Sequence, residues 1–174
     1  IRYMEGGKGP KKTFRNKELL YNPACNEKGI AAIQYLNDGH SVLNILEDSK
    51  GKIMQSFPAP DTLQLVETAW LGDDIFVTAI SDNGYGIYCL KDGKWTTVLD
   101  PQPVMIKDFW SLGTDTLMFT CDRTGVNELY VLSPESGVIT RKTNTRYGSE
   151  DHQWSEDGKY LYYAAADAKN LPDQ

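Results

Sequence analysis

Polar side chains that could bind a charged ligand stand two and three residues before three of the four tryptophans in this sequence. They comprise carboxylates, an ammonium, a hydroxyl and an imidazole, which form ion pairs and charge-assisted hydrogen bonds. The six residues are Glu67, Thr68, Lys107, Asp108, Asp151 and His152. Recognition of a polar partner is the chemistry they favour, because the sequence lacks the motifs of a serine hydrolase, a zinc peptidase or a phosphate-binding loop.

The anchors of this pattern recur at regular distances along the chain. Cys25, Trp70, Trp110 and Trp154 lie 45, 40 and 44 residues apart, and a turn and an apolar stretch follow each of them. A repeat of about 40–45 residues with four strands in each unit is typical of a β-propeller blade. The first strand of a blade lines the central channel, so the six polar residues are expected to face one another around it.

The repeats predict an all-β fold in a single β-propeller segment covering residues 1–174. We expect a half blade at 1–19, blade A at 20–60, blade B at 61–102, blade C at 103–147 and a second half blade at 148–174. Two pairs, Asn83-Gly84 and Asp92-Gly93, predict hairpins with type I′ turns. No stretch keeps a 3.6-residue apolar period, so almost no helix is expected.

Three complete blades and two half blades contain about sixteen strands, which can be arranged in three ways. The two half blades can join and close a ring of four blades. The chain can instead be an open arc of a larger propeller with six to eight blades, which is the arrangement we favour. Alternatively, two chains can pair their open edges in an edge-to-edge homodimer, because unpaired edge strands invite association.

Charge and cysteine content narrow the classes of function. The formal net charge of −6 excludes nucleic acid as the main partner, since phosphate binding needs a basic face. No apolar run is long enough for a transmembrane helix. Cys25, Cys89 and Cys121 lie in apolar strand patterns, which predicts buried free thiols; one disulfide with a spare thiol is the alternative.

Three stretches resemble the TolB-type propeller repeat, the Asp-Gly-Lys relative of the WD repeat. The first is Trp154-Ser155-Glu156-Asp157-Gly158-Lys159, with His152 and Glu156 where the repeat has proline. The second joins Asp122-Arg123-Thr124-Gly125 to the strand Glu128-Leu129-Tyr130-Val131-Leu132. The third is Gly137-Val138-Ile139-Thr140-Arg141-Lys142-Thr143. The similarity is specific in blade C and at the start of the last half blade, and degenerate in blades A and B.

The resemblance implies a non-catalytic module that binds a protein or peptide and lies in the bacterial periplasm or cell envelope. It equally fits a gating or substrate-selecting propeller of a larger tricorn-type or prolyl-oligopeptidase-type peptidase. In both roles the propeller itself performs no reaction, so we expect no cofactor and no metal. A sugar- or small-molecule-binding propeller enzyme is a third class, and it would need histidines and carboxylates converging on a metal. We also expect the chain to be a piece of a longer protein.

Two roles remain open for the six polar residues at this point. They can form hydrogen bonds between neighbouring blades, or they can form a binding site at the channel. The tryptophans of the repeat, Trp70, Trp110 and Trp154, are expected to occupy one equivalent position in the core between blades. Trp95 lies outside this register and is expected to be partly buried under a neighbouring loop.

Overall fold

A computed structural model describes residues 2–4, 10–13, 18–47, 51–60, 62–155 and 159–165, and it is entirely β within those ranges. The first strands are β1 (Arg2–Met4), β2 (Pro10–Thr13), β3 (Tyr21–Asn26), β4 (Gly29–Tyr35), β5 (Ser41–Leu46) and β6 (Ile53–Pro58). They are followed by β7 (Gln64–Leu71), β8 (Asp74–Ser81), β9 (Gly84–Lys91), β10 (Lys94–Gln102) and β11 (Ile106–Leu112). The last are β12 (Thr116–Cys121), β13 (Glu128–Ser133), β14 (Val138–Arg141), β15 (Ser149–Trp154) and β16 (Leu161–Ala165).

Each four-stranded sheet is an antiparallel meander built from one contiguous stretch of chain. Blade A is β3-β4-β5-β6, blade B is β7-β8-β9-β10 and blade C is β11-β12-β13-β14. The first strands of successive sheets lie next to one another, β3 beside β7 and β7 beside β11. Sheets that meet along their first strands and follow one another in chain order are the blades of a propeller, so the all-β propeller prediction is confirmed.

The core lies between blades, where apolar side chains of two facing sheets interdigitate. Between blades A and B the buried set includes Ile33, Leu43, Leu65 and Val77. Between blades B and C a second cluster is formed by Ala69, Phe76, Ile87, Cys89, Ile106, Phe109, Leu117, Phe119, Cys121, Tyr130 and Leu132. The second strand of each blade has apolar residues on both faces because each face packs against a different neighbour.

The two half blades are separate in the structure. Strands β1 and β2 form one two-stranded sheet and β15 and β16 form another, and neither sheet is hydrogen-bonded to the other. The alternative of a closed four-bladed ring is therefore not what the described residues form. Blades A, B and C lie side by side, and the sheet of β15 and β16 packs against blade C through β13 and β15.

One of the two predicted type I′ turns is present. Asp92 and Gly93 connect β9 to β10 with φ values of 50° and 74°, as such a turn requires. The hairpin predicted at Asn83-Gly84 is present, but its turn is not of type I′: Asp82 and Asn83 form the turn, and Gly84 (φ 104°) begins β9 opposite Ser81. A Cβ at Gly84 would lie 1.9 Å from the carbonyl oxygen of Gln102, so only glycine fits there. The Asp157-Gly158 turn lies outside the described residues.

The repeat tryptophans do not all occupy one position. Trp70 donates its indole N–H to the carbonyl of Ala24 at 3.2 Å, and Trp154 donates to the sulfur of Met118 at 3.0 Å, so each faces the preceding blade. Trp110 is paired with Met118 across the sheet. Since cross-strand partners share a face, Trp110 points toward the following half blade instead. The expectation of one equivalent position holds for Trp70 and Trp154 and fails for Trp110.

The remaining expectations concern cysteines and Trp95. All three thiols are free, with Cys89 and Cys121 buried and Cys25 exposed, so burial was predicted correctly for two of them. Burial raises the pKa of the Cys89 thiol to about 11. Trp95 is half-buried, as predicted. It donates its indole N–H at 2.8 Å to the carbonyl of Pro58, which belongs to strand β6 of blade A and not to a loop. The described residues contain no helix of the length and apolarity that a membrane span requires.

Candidate functional site at the inner strands

The innermost strand of every described blade carries a β-bulge near the predicted polar residues. The pairing register shifts between Tyr21 and Ala24, between Leu65 and Glu67, between Lys107 and Trp110, and between Glu150 and Gln153. A bulge adds an unpaired residue, which bends the strand and redirects side chains. The bulges therefore determine which of the six residues face solvent and which face a neighbouring blade.

Three bulges contain a residue in the left-handed region of backbone space. The φ angles are 46° at Asn22, 52° at Asp108 and 52° at Asp151. Asn and Asp tolerate this region better than other residues with a Cβ, because their short polar side chains can bond locally. All three side chains are exposed. Asn or Asp therefore recurs at these positions because the bulge needs a residue that tolerates positive φ, and not only because a polar side chain is useful there.

Glu67 of blade B and Asp108 of blade C bring two carboxylates together. Glu67 is half-buried, and its Oε2 atom is buried without a hydrogen-bond partner among the described residues. Burial, and next the charge of Asp108, raise the pKa of Glu67; the backbone amides of Phe109 and Asp108 act in the opposite direction. An incompletely paired carboxylate beside a second one is costly, and a cation placed there would relieve the cost.

Two other predicted residues are already bonded between blades. The Thr68 hydroxyl is buried and donates to the carbonyl of Asn22 at 2.7 Å. The ammonium of Lys107 lies 3.1 Å from the carboxylate of Glu150, which also accepts from Asn127 at 3.2 Å. Lys107 and then Asn127 lower the pKa of Glu150. For Thr68 and Lys107 the role in bonding neighbouring blades is therefore the observed one.

His152 belongs to a buried polar network between blade C and the last half blade. Its Nε2 atom lies 2.9 Å from the Ser149 hydroxyl and its Nδ1 atom lies 3.5 Å from the Thr120 hydroxyl. Burial lowers the pKa of His152. The surrounding carboxylates, which are those of Asp108, Glu128, Asp151 and Glu150, act in the opposite direction.

At the centre of this network is Glu128, a fully buried carboxylate. It accepts hydrogen bonds from the hydroxyl of Thr143, from the amide (2.6 Å) and hydroxyl (3.0 Å) of Thr145, and from the hydroxyl of Ser149 (3.2 Å). Burial by itself would raise the pKa of Glu128, but the bonds from Thr143, Thr145 and Ser149 outweigh it and lower the pKa overall. The ionised carboxylate is thus favoured by the fold despite its burial.

Serine, histidine and glutamate meet here without forming a catalytic triad. In a triad the carboxylate orients the histidine and the serine is open to substrate. In this network Glu128 bonds to Ser149 itself, His152 has Thr120 at its other nitrogen, and Ser149 is only 1% exposed. The arrangement binds two blades together. The structure describes no group of three or more His, Cys, Asp or Glu side chains that could hold a metal ion.

The sequence patterns did not single out Glu128, Thr143, Thr145 or Ser149. The available signal was a carboxylate at the head of an otherwise apolar strand, Glu128-Leu129-Tyr130-Val131-Leu132. A charged residue in that place must be paired, and the threonines and serine that follow β14 are the short donors able to reach it.

Comparison with solved structures identifies the fold. TolB from Acinetobacter baumannii superposes with a TM-score of 0.66 at 18% identity, over 93% of this chain and 41% of that one. A putative TolB from Agrobacterium tumefaciens gives a TM-score of 0.62 at 18% identity, over 83% of this chain and 52% of that one. The fold is that of a TolB-type β-propeller. No protein-family model and no curated protein sequence matches the chain.

The TolB-type match covers about half or less of each solved chain. The inner strands place Glu67 and His152 close enough to Asp108 for its negative charge to act on the pKa of each. Asp151 is exposed on the bulge next to His152. Thr68 and Lys107 bond to neighbouring inner strands instead. The residues of the inner strands that remain open to a ligand are therefore acidic.

Proposed function

We propose that this chain is a non-catalytic TolB-like propeller module that binds a protein or peptide partner at its inner strands. A location in the bacterial cell envelope, as the resemblance implies, is part of the proposal. The observation that carries the proposal is the buried, unpartnered Oε2 atom of Glu67 beside the exposed carboxylate of Asp108. Among the described residues no cation forms an ion pair with either carboxylate, and a lysine or arginine side chain of the partner would supply one.

The bulge geometry supports a contact with a partner's side chain. Asp108 is held at φ 52°, with its side chain in solvent, and Glu67 approaches the amides of the same bulge. A guanidinium that bonds to the exposed carboxylate of Asp108 also stabilises the charge of the half-buried Glu67 behind it. The same contact would serve a propeller that selects peptides for an attached peptidase, so the inner site is common to both roles.

Calorimetric titration with a blocked pentapeptide containing two arginines, and with its glutamine analogue, tests the proposal. We expect the arginine peptide to bind and the analogue to bind at least about tenfold more weakly, with affinity falling as salt rises. Glu67→Gln and Asp108→Asn should each weaken binding about tenfold, because each removes one charge-assisted contact. Asp115→Asn, at an exposed turn of blade C, is the matched control and should change nothing.

Equal binding of the two peptides, or equal affinities of wild type and Glu67→Gln, would contradict the proposal. Both Glu67→Gln and Asp108→Asn are expected to fold, since each preserves side-chain shape and glutamine keeps an oxygen that can accept from the backbone amides of the neighbouring bulge. Circular dichroism of the variants checks that expectation.

A further inference from the structure

A groove between blades A and B opens at the end of the sheets where the β3–β4, β7–β8 and β9–β10 turns lie. Its volume is about 730 Å³. Its walls are the last residues of β5 and the strand β6 on one side, and the turns of blade B on the other. This is a different place from the Glu67–Asp108 pair, which lies between blades B and C.

The floor of the groove is the apolar core between the two blades, which the described residues leave uncovered at this end. Phe57, Trp70, Ile75 and Leu90 belong to that core and line the groove. Met54 stands at the mouth with 59% of its surface exposed. A floor of this composition would bury a large apolar side chain, because removing its surface from water is the main source of binding free energy.

Both ends of the groove are held by contacts between the blades. At the inner end Lys28 and Asp73 form an ion pair with a separation of 2.6 Å. At the outer end Gly93 rests on Phe57, since a Cβ at that glycine would lie 3.6 Å from the ring. Trp95 bonds to Pro58 behind it. A cavity with fixed walls costs little to organise on binding.

The rim of the groove is acidic. Among the described residues that line the groove, Asp73 is paired with Lys28, and Asp92 presents an exposed carboxylate at the rim. A partner with positive charges beside its apolar side chain is attracted, and an acidic partner is repelled. Charge and shape therefore specify one class of occupant.

We propose that this groove binds a peptide segment of a partner protein in which a large apolar side chain is flanked by lysine or arginine. The apolar side chain enters between Phe57 and Trp70 and covers the end of the core. A flanking cation contacts the exposed carboxylate of Asp92 on the rim. The site is separate from the inner-strand site and does not depend on it.

The test uses a blocked hexapeptide with a central leucine–phenylalanine pair between one arginine and one lysine. Binding is followed by the indole N–H signal of Trp70 in ¹⁵N-labelled protein, which the variant Trp70→Phe assigns. We expect this signal to shift on saturation. An analogue with glutamines in place of the cations and one with alanines in place of the apolar pair should each bind at least about tenfold more weakly.

Two matched pairs of variants localise the site. Met54→Glu should weaken binding about tenfold by placing a charge at the apolar mouth, whereas Met105→Glu, 50% exposed at the start of blade C, should leave it unchanged. Asp92→Asn preserves the turn, because asparagine also tolerates positive φ, and should weaken binding several-fold. Its control, Asp82→Asn in the β8–β9 turn, should not.

Any of four results would overturn the proposal. The glutamine analogue could bind as well as the charged peptide, or the two methionine variants could behave alike. The Trp70 signal could move with protein concentration alone, which would mean that a second copy of the chain fills the groove. Finally, Glu67→Gln could abolish binding at the groove, which would contradict a separate site. If Glu67→Gln binds the hexapeptide normally, the groove binds peptide independently of the inner-strand site.

Discussion

The buried carboxylate of Glu128 offers the sharpest test of how the blades are held together. Glu128→Ala removes the acceptor of four hydrogen bonds; their donors are buried at Thr143 and Ser149 and half-buried at Thr145. The two hydroxyls of Thr143 and Ser149 can still bond to each other, since they lie 2.7 Å apart. The amide of Thr145 cannot turn away. One unsatisfied buried donor costs about 1–3 kcal/mol, and the lost side-chain volume adds to it, so we expect a loss of about 3–4 kcal/mol.

Glu128→Gln should cost less because its side-chain oxygen can still accept from the Thr145 amide. Its NH₂ group then faces the hydroxyls of Thr143 and Ser149, which can rotate to accept from it. What is lost is charge, and the lowered pKa of Glu128 shows that the fold favours the charged form. A loss of about 1–2 kcal/mol follows from exchanging charge-assisted for neutral hydrogen bonds.

The pH dependence of these losses identifies their cause. A carboxyl whose pKa is lower in the folded state stabilises the fold above its unfolded pKa of 4.5, and this contribution disappears as the pH falls through the folded value. The stability difference between wild type and Glu128→Gln should therefore shrink in acid. Urea unfolding followed by circular dichroism and tryptophan fluorescence measures it, with Glu135→Ala at an exposed turn as the control. Equal losses for the alanine and glutamine variants, or losses within about 0.5 kcal/mol of the control, would refute the reasoning.

Four further predictions concern single groups and the open edges. Burial lowers the pKa of His152, so its contribution to stability is fully present above pH 6.5 and decreases as the pH falls below that value. Between pH 7.5 and 5.5 the melting temperature of His152→Gln should therefore fall by less than that of wild type. The raised pKa of Glu67 means that its charge destabilises the fold at neutral pH, so Glu67→Gln should raise the urea midpoint at pH 7 and not at pH 4, and a lower midpoint at pH 7 would contradict this. A thiol reagent should label Cys25 quickly in the native protein and reach Cys89 and Cys121 only on unfolding, because they are buried; three fast thiols would be the opposite result. We expect edge-to-edge dimers to form through the half-blade sheets, and sedimentation that shows monomer at every concentration would exclude them.

Repeat spacing was sufficient to predict the sheets because turns and apolar strands are local features. The register within a strand depends on bulges, and these arise from contacts with other strands. Trp70 lies one residue before the pair that closes its hairpin, Leu71 and Asp74. Trp110 lies two residues before the closing pair of its own hairpin, Leu112 and Thr116, so the two tryptophans point to opposite faces although both strands carry a bulge. Sequence alignment placed the two tryptophans together, and the pairing between strands separated them.

The candidate site was predicted in part for the same reason. Glu67 and Asp108 were located from the repeat, because inner strands of neighbouring blades must lie side by side. The partners of Lys107 and His152 were not located, since Glu150 and Ser149 enter from strand β15 at positions without a repeated pattern. Glu128 lies in a strand that matches the propeller repeat. Its burial depends on the connection from 142 to 148, which folds over it and cannot be located from a strand pattern.

The three junctions between neighbouring blades are held by different kinds of contact, so they should respond differently to acid. Blades A and B meet through apolar side chains that stop short at one end and leave the groove. Blades B and C are joined by the larger apolar cluster, with an unpaired carboxylate at its inner margin. Blade C and the last half blade are joined by hydroxyls, a histidine and the buried carboxylate of Glu128. Protonation of His152 and of Glu128 in acid each destabilises the junction between blade C and the last half blade. Protonation of Glu67 instead removes an unfavourable charge between blades B and C. Mild acid should therefore loosen strands β15 and β16 before it affects blades A and B, because the core between those two blades contains no buried carboxylate or histidine among the described residues.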